Sequence, residues 1–272
     1  MILTVLGCSG SVPGPGNPCS GYLVEHDGYR LLLDLGTGAF GALVEHTAPA
    51  GIDAVVVSHR HADHLADLSA LAYAQEKLGP RAVPTRVVAP AGTAGQVRRS
   101  HLLAFEDARP GDLECGPFRL RLARVRHPVE TYAVRVEAGG GCLTYTGDSG
   151  PCRELAQLAR GTGVLLAEAA LGPGDEPCDR PGEGIGTAPP HGWGLDHTAP
   201  APHHLTARQA GELAASAGAG VLAVTHLRPW DDAVRSLTAA AARFPGPVLL
   251  ARPGLRLVPG GPTRTPHPEE ET

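Results

Sequence analysis

Aromatic residues make up only 4% of this 272-residue chain, so its interior has to be assembled from Ala, Val and Leu. Lysine is nearly missing. Lys77 stands alone, and arginine carries the remaining positive charge. With a net charge of -5 and no basic run or stripe, the composition counts against a large polyanionic partner. Six cysteines, at 8, 19, 115, 142, 152 and 178, include no CxxC pair, and their spacing suggests neither a zinc knuckle nor a disulfide scaffold. No apolar run approaches the ~20 residues that a membrane-crossing helix needs. The N-terminus lacks a charged segment followed by a long apolar core, so no signal peptide is read there. These absences lead to the expectation of a cytoplasmic protein with reduced thiols and no membrane partner.

A hydrophobic content of 42% is enough for one large α/β domain. Short apolar runs bounded by Gly and Pro predict strands at 2–6, 22–25, 30–34, 54–58, 85–89, 118–125, 133–136, 142–146, 164–167, 221–225 and 248–251. Helical spacing of apolar residues predicts helices at 65–78, 91–103, 152–160, 206–217 and 231–244, with Thr206 and Asp231 as N-caps. Strands that come to alternate with helices imply mixed sheets covered by helices. Residues 172–203 are dominated by Gly and Pro and are too long for an ordinary connection, so they are read as an insert that could form a lid. Residues 259–272, Pro-rich and then acidic, are read as a flexible tail.

Against this background one stretch stands out. His59-Arg60-His61-Ala62-Asp63-His64 comes one residue after the apolar run 54–57 and places three imidazoles and a carboxylate in six positions. Neutral imidazole and carboxylate are the side chains that borderline divalent cations prefer. Three more ligand-type residues, His127, Asp148 and His226, sit where buried-type strands end. The C-terminal edge of a sheet is where such groups gather. A metal-ligand set of this kind points to hydrolysis, because a bound dication acidifies water.

The pattern resembles the metallo-β-lactamase superfamily from Met1 to about Val258. His59, His61, Asp63 and His64 match its HxHxDH motif. His127, Asp148 and His226 match its later single-residue motifs in the same order, and Asp34 matches the early aspartate that supports the site. The resemblance implies an αββα four-layer sandwich over residues 1–258 and a dinuclear site. Two divalent ions are expected, zinc by default, with Mn2+ or Fe2+ as other occupants. By the same resemblance His59, His61 and His127 hold one ion, Asp63, His64 and His226 hold the other, and Asp148 bridges them. Histidine at position 61, where diiron flavoproteins of the superfamily carry Glu, favours hydrolysis over redox chemistry.

Several segments are similar to the ribonuclease Z and phosphodiesterase branch. They are Leu6-Gly7-Cys8-Ser9-Gly10-Ser11, the run from His127 to Ala133, Gly147-Asp148-Ser149, Ala167-Glu168-Ala169, the run from His204 to Ala210, and Thr225-His226-Leu227. In the mechanism this implies, a hydroxide held between the ions attacks phosphorus, and Asp63 orients it and takes its proton. His204, oriented by Glu168, then donates a proton to the departing alkoxide. The long basic arm by which bacterial ribonuclease Z grips tRNA is missing. Tyr132 and Asp148 are separated by a stretch with room only for a hairpin turning at Gly139-Gly140-Gly141. This counts against tRNA and favours a small phosphodiester such as a cyclic nucleotide. The competing expectation is a thioesterase, a lactonase or a biosynthetic tailoring hydrolase acting on an acyl carbon. Ser9 and Ser11 are candidate phosphate contacts through their backbone N–H groups. Within the insert, Trp193 is a candidate base-stacking residue, and His191 and His197 are candidate phosphate contacts. Because relatives often form dimers, a homodimer is also expected.

Overall fold

The computed structural model describes residues 1–78, 83–174 and 203–260. The first part of the chain forms β1 (Ile2–Gly7), β2 (Gly21–His26), β3 (Tyr29–Leu35), α1 (Ala39–Leu43), β4 (Ala54–Val56), α2 (Ala62–Leu65), α3 (Leu68–Leu78), β5 (Thr85–Ala89) and β6 (Leu103–Asp107). The rest forms β7 (Gly111–Cys115), β8 (Phe118–Arg124), β9 (Tyr132–Ala138), β10 (Gly141–Tyr145), α4 (Arg153–Ala159), β11 (Val164–Glu168), α5 (Ala207–Ala217), β12 (Val221–Thr225), α6 (Ala233–Ala241), β13 (Val248–Leu250) and β14 (Arg256–Leu257).

The strands make two seven-stranded mixed sheets, ordered β14-β1-β2-β3-β4-β5-β6 and β13-β12-β11-β10-β9-β8-β7. Both faces of the central strands of each sheet are covered. In β3 the side chains of Leu31 and Leu33 enter a core shared with Leu143, Tyr145 and Leu166 of the second sheet. Leu32 and Leu35 point the other way, into a cluster with Leu43, Leu68 and Leu71 of α1 and α3. A third cluster packs α4, α5 and α6 on the outer face of the second sheet through Leu155, Ala210, Ala214 and Ala240. The result is the expected αββα sandwich. It also explains why Leu31–Leu33 of β3 and the whole of β4 read as unbroken apolar runs, since a strand buried on both faces has no polar side to alternate.

Within each sheet one block is parallel, β3 to β6 in the first and β10 to β13 in the second. Their C-terminal ends lie along one edge of the sandwich, and that edge carries the ligand-type residues. Between β9 and β10 the chain turns at Gly139 and Gly140, both with positive φ, as a two-residue type I′ hairpin requires. Among the described residues no helix is long and apolar enough to cross a membrane.

Several sequence expectations need correction. Residues 91–103 are not a helix; they form two short 3-10 turns, at Thr93–Gln96 and Ser100–Leu102, and then enter β6. Gly92 and Arg99 both have positive φ, which no continuous helix tolerates. The Thr93 hydroxyl bonds the Pro90 carbonyl, and the Ser69 hydroxyl accepts from Arg98 N–H. The helix expected at 65–78 is split, because Asp67 N–H bonds the Leu35 carbonyl and the Asp67 carboxylate takes Phe40 N–H. The cap of α6 is Asp232, not Asp231; Asp231 instead pairs with Arg228. Strands β6, β7 and β14 were not expected. Residues 259 and 260, read as part of the tail, are described, and Cys142 N–H donates to the Gly260 carbonyl. Of the insert, 175–202 lies outside the described residues, as do Trp193, His191, His197 and 261–272.

Candidate metal centre

The first half of the centre hangs on Asp34, at the end of β3 with a positive φ of 58°. Its carboxylate is fully buried and accepts four hydrogen bonds. Ser58 N–H reaches Oδ1 at 2.6 Å, while the Ser58 hydroxyl, His64 Nδ1–H and the Tyr145 hydroxyl reach Oδ2 at 2.7, 2.8 and 2.7 Å. Because a carboxylate can only accept, His64 must carry its proton on Nδ1 here, and Nε2 is left facing the centre. The Ser58 hydroxyl has one proton, spent on Asp34, so it accepts from His59 Nδ1 at 3.0 Å and turns His59 Nε2 inward. The single turn of α2 brings Asp63 and His64 to the same place. It lies so close to β3 that a Cβ on Gly36 would sit 1.8 Å from the Asp63 carbonyl oxygen, which only glycine avoids.

The second half comes from the other sheet. His127 follows β8 and donates from Nδ1 to the His203 carbonyl at 3.0 Å, so its Nε2 faces His61 Nδ1 at 3.2 Å. Asp148 is reached from β10 through Gly147, whose φ is 55°. His226 follows β12, also at positive φ, and its N–H is fixed by the Cys8 carbonyl. Asp148 lies between the two groups. Its Oδ2 is 3.6 Å from His59 Nε2, and its Oδ1 is 3.2 Å from His64 Nε2 and 3.5 Å from His226 Nε2.

Two clusters therefore form around one shared carboxylate. One ligand atom from each of His59, His61, His127 and Asp148 lies within 4.8 Å of the others, and the same holds for Asp63, His64, Asp148 and His226. The donor sets fit divalent cations. Asp148 Oδ1 is buried with no hydrogen-bond partner, an omission that costs free energy unless a cation fills it. His59 Nε2 and His61 Nδ1 face each other at 2.9 Å.

Electrostatics divides the clusters. In the first, burial holds His59 well below its ordinary value, lowers His61, and brings His127 down to about 4, so these rings are neutral and ready to donate lone pairs. In the second, burial alone would raise Asp63 and Asp148. The His64 and His226 rings beside Asp63, and the same pair beside Asp148, outweigh it and hold both carboxyls well below the usual carboxylate range. His64 runs the opposite way. Burial opposes its charge, but Asp148, Asp63 and Asp34 carry it well above an ordinary imidazole. A cation entering this cluster must displace that proton.

Next to the second cluster, Glu168 is fully buried at the end of β11 and accepts from Ser149 N–H at 2.7 Å and Ala170 N–H at 3.0 Å. His204 Nδ1 donates to Glu168 Oε1 at 3.0 Å and lies 3.8 Å from Asp148 Oδ2. Burial would lower the His204 value; the Glu168 charge and hydrogen bond raise it to about 9. Its neighbour His203 offers the centre only its carbonyl, to His127.

The structure thus brings together His59, His61, Asp63, His64, His127, Asp148, His226, Glu168 and His204. It gives Ser9 and Ser11 a different part from the one expected. Ser9 N–H and Gly10 N–H are spent on the carbonyls of Pro18 and Leu227, the Ser9 hydroxyl bonds the Val12 carbonyl, and Ser11 N–H donates to Asp63 Oδ2 at 2.9 Å. This loop holds Asp63 and does not offer those N–H groups to a phosphate. Sequence reasoning missed Ser58, Tyr145 and the His203 carbonyl. Ser58 was visible as the residue before the motif; nothing local in the sequence marks the other two.

The family model described as the Beta-lactamase superfamily domain matches residues 29–227, more than half of the chain. An uncharacterized protein of Mycobacterium tuberculosis is 34% identical over 264 residues, which cover 90% of this chain and 88% of that protein. Ribonuclease Z of Methanopyrus kandleri is 30% identical over 275 residues, covering 94% of this chain and 96% of the relative. The crystal structure of the metallo-beta-lactamase fold protein YhfI from Bacillus subtilis matches with a TM-score of 0.79 at 26% identity, over 94% of this chain and 98% of that one.

Proposed function

The chain belongs to the beta-lactamase superfamily and is a metallo-hydrolase, and on that premise we propose that it hydrolyses a small phosphodiester, with a cyclic nucleotide as the first candidate. The observation that carries this reading is the His204–Glu168 pair beside the shared carboxylate Asp148. Splitting a phosphodiester expels an alkoxide, which needs a proton as it leaves; a thiolate leaving an acyl carbon does not. Similarity to a ribonuclease Z, a protein named for cutting phosphodiesters, supports the same chemistry.

His59, His61, His127 and Asp148 would hold one divalent cation, and Asp63, His64, Asp148 and His226 a second, with zinc as the default and manganese or iron as other occupants. Bound cations would supply positive charge to the phosphoryl oxygens and acidify water. The remaining work belongs to the chain. Asp63, steadied by Ser11 N–H, orients the attacking water. Asp63 also takes the proton that this water gives up as it attacks, and His204 supplies one to the other side of the bond that breaks. Glu168, fixed by two backbone N–H groups, holds the Nδ1 proton of His204 and keeps the ring protonated. His204 Nε2–H is then the proton that goes to the leaving oxygen. Net charge of -5 and the short hairpin between β9 and β10 support a small molecule over tRNA.

Assaying a cyclic nucleotide, bis-p-nitrophenyl phosphate and an acyl thioester side by side tests the proposal. Turnover of the two phosphodiesters well above that of the thioester supports it. A thioester turned over while both diesters are untouched would replace it with the acyl-hydrolase reading.

A further inference from the structure

Two buried tyrosines that belong to neither cluster cross between the sheets at the edge carrying the centre. Tyr145, in β10 of the second sheet and three residues before Asp148, donates its hydroxyl to Asp34 Oδ2 of the first sheet at 2.7 Å. Tyr22, in β2 of the first sheet, bonds the Thr225 hydroxyl of the second at 2.7 Å, and Thr225 is the residue before His226. The two rings touch, with centroids 5.0 Å apart and planes inclined by 56°. They form one unit anchored in both sheets.

We propose that Tyr22 and Tyr145 are positioning residues that set the separation of the two halves of the metal centre; this rests on the reading that the clusters hold two cations. The division of ligands between sheets makes the seam critical. His59, His61, Asp63 and His64 follow β4 of the first sheet, whereas His127, Asp148 and His226 follow β8, β10 and β12 of the second. Each cluster draws on both sheets. A slide of one sheet over the other would therefore change the His127–His61 distance of 3.2 Å, the Asp148–His59 distance of 3.6 Å and the His226–His64 distance of 3.1 Å together.

The Leu, Val and Ala contacts of the shared core set the sheet separation by packing, but apolar attraction itself has no preferred direction. Hydroxyl hydrogen bonds fix position more sharply, since they weaken steeply when bent or stretched. Each tyrosine acts where it matters. Tyr145 fixes Asp34, which fixes His64 and Ser58, and Tyr22 fixes the strand end from which His226 projects. The backbone bond from Tyr132 N–H to the Ser58 carbonyl and the apolar core hold the sheets together without them. Phenylalanine at either position should therefore fold.

The test uses the full chain loaded with Mn2+, as wild type, Tyr22→Phe, Tyr145→Phe and the double variant. Spin coupling between the two ions is read by EPR, alongside kcat and KM for bis-p-nitrophenyl phosphate. The expected result is two bound ions in every protein, with altered coupling in the variants. kcat should fall about 10- to 100-fold and KM should change little, as for sub-ångström misplacement of reacting groups. Thr225→Val removes the Tyr22 bond from its other end and should reproduce the Tyr22→Phe result, which covers the case in which that variant fails to fold. Variants that lose only thermal stability, with wild-type coupling and kcat, overturn the inference while leaving the two-ion reading intact. A wild type with no coupled pair overturns both.

Discussion

The Asp34 carboxylate accepts from Ser58, His64 and Tyr145, and the Nδ1–H that His64 donates to it decides which nitrogen of that ring can bind a cation. Asp34→Asn keeps the shape but loses the charge that holds the ring in place, so divalent-ion affinity should fall about 10- to 100-fold, as measured by competition with a chelator. At the other end of the site His204 has a separate duty, and the leaving group reports it. His204→Ala should slow cyclic-nucleotide opening by about 10²- to 10⁴-fold, because a ribose alkoxide needs the proton. The loss with bis-p-nitrophenyl phosphate should be much smaller, because nitrophenolate leaves unaided. Equal losses on both substrates would remove His204 from the donor role.

The Glu168–His204 pair also gives a titration with a definite sign. In the metal-free protein burial opposes the His204 charge, but Glu168 raises the ring to about 9. Its proton therefore contributes stability that is fully present below about 6.5, the value of a free imidazole, and is lost as pH rises through about 9. Glu168→Gln should move the NMR titration of this ring downward, toward 6.5. A titration that stays near 9 would show that Glu168 is not the cause.

At the scale of elements, the capping box of α5 anchors the segment that carries His204. The Thr206 hydroxyl accepts from Gln209 N–H and the Gln209 side chain accepts from Thr206 N–H. Thr206→Ala should cost about 1 kcal/mol in chemical denaturation. The Thr206 cap was legible in the sequence, as were the apolar strands β3, β4 and β12, because local propensity and tertiary role agree there. Residues 91–103 were misread, since their apolar spacing is helical while left-handed Gly92 and Arg99 break the chain into turns. The adjacent pair Asp231-Asp232 hid the cap of α6, as either residue could serve and Arg228 claims the first. Strand β14 has only two residues and exists by pairing with Leu3 and Thr4, a partnership no local pattern announces.

At the scale of the whole molecule, ligand-type residues at the C-terminal ends of parallel strands were visible in the sequence. Their meeting follows from two sheets sharing one edge. The ties across the seam were not visible. Tyr145 reaches Asp34 over 111 positions, and the His203 carbonyl reaches His127 over 76, and nothing local in the sequence marks Tyr145 or His203 for these parts. The electrostatics of the assembled centre adds a collective property. Burial works against a charged His64, yet Asp148, Asp63 and Asp34 keep its proton in the metal-free state, so a cation competes with that proton. Divalent-ion affinity should fall as pH falls, and uptake should release protons, both measurable by calorimetry in buffers of different ionisation enthalpy. Affinity independent of pH would show that His64 is not a ligand.

The most direct test is a count of divalent ions bound per chain, by elemental analysis of protein dialysed against zinc, for wild type and Asp148→Ala. Among the described residues, Asp148 is the only side chain common to both clusters. Two ions per wild-type chain, with both weakened when Asp148 is removed, are expected. A wild type that retains one ion or none at saturation, or an Asp148→Ala variant that still binds two as tightly, would contradict the shared-carboxylate centre.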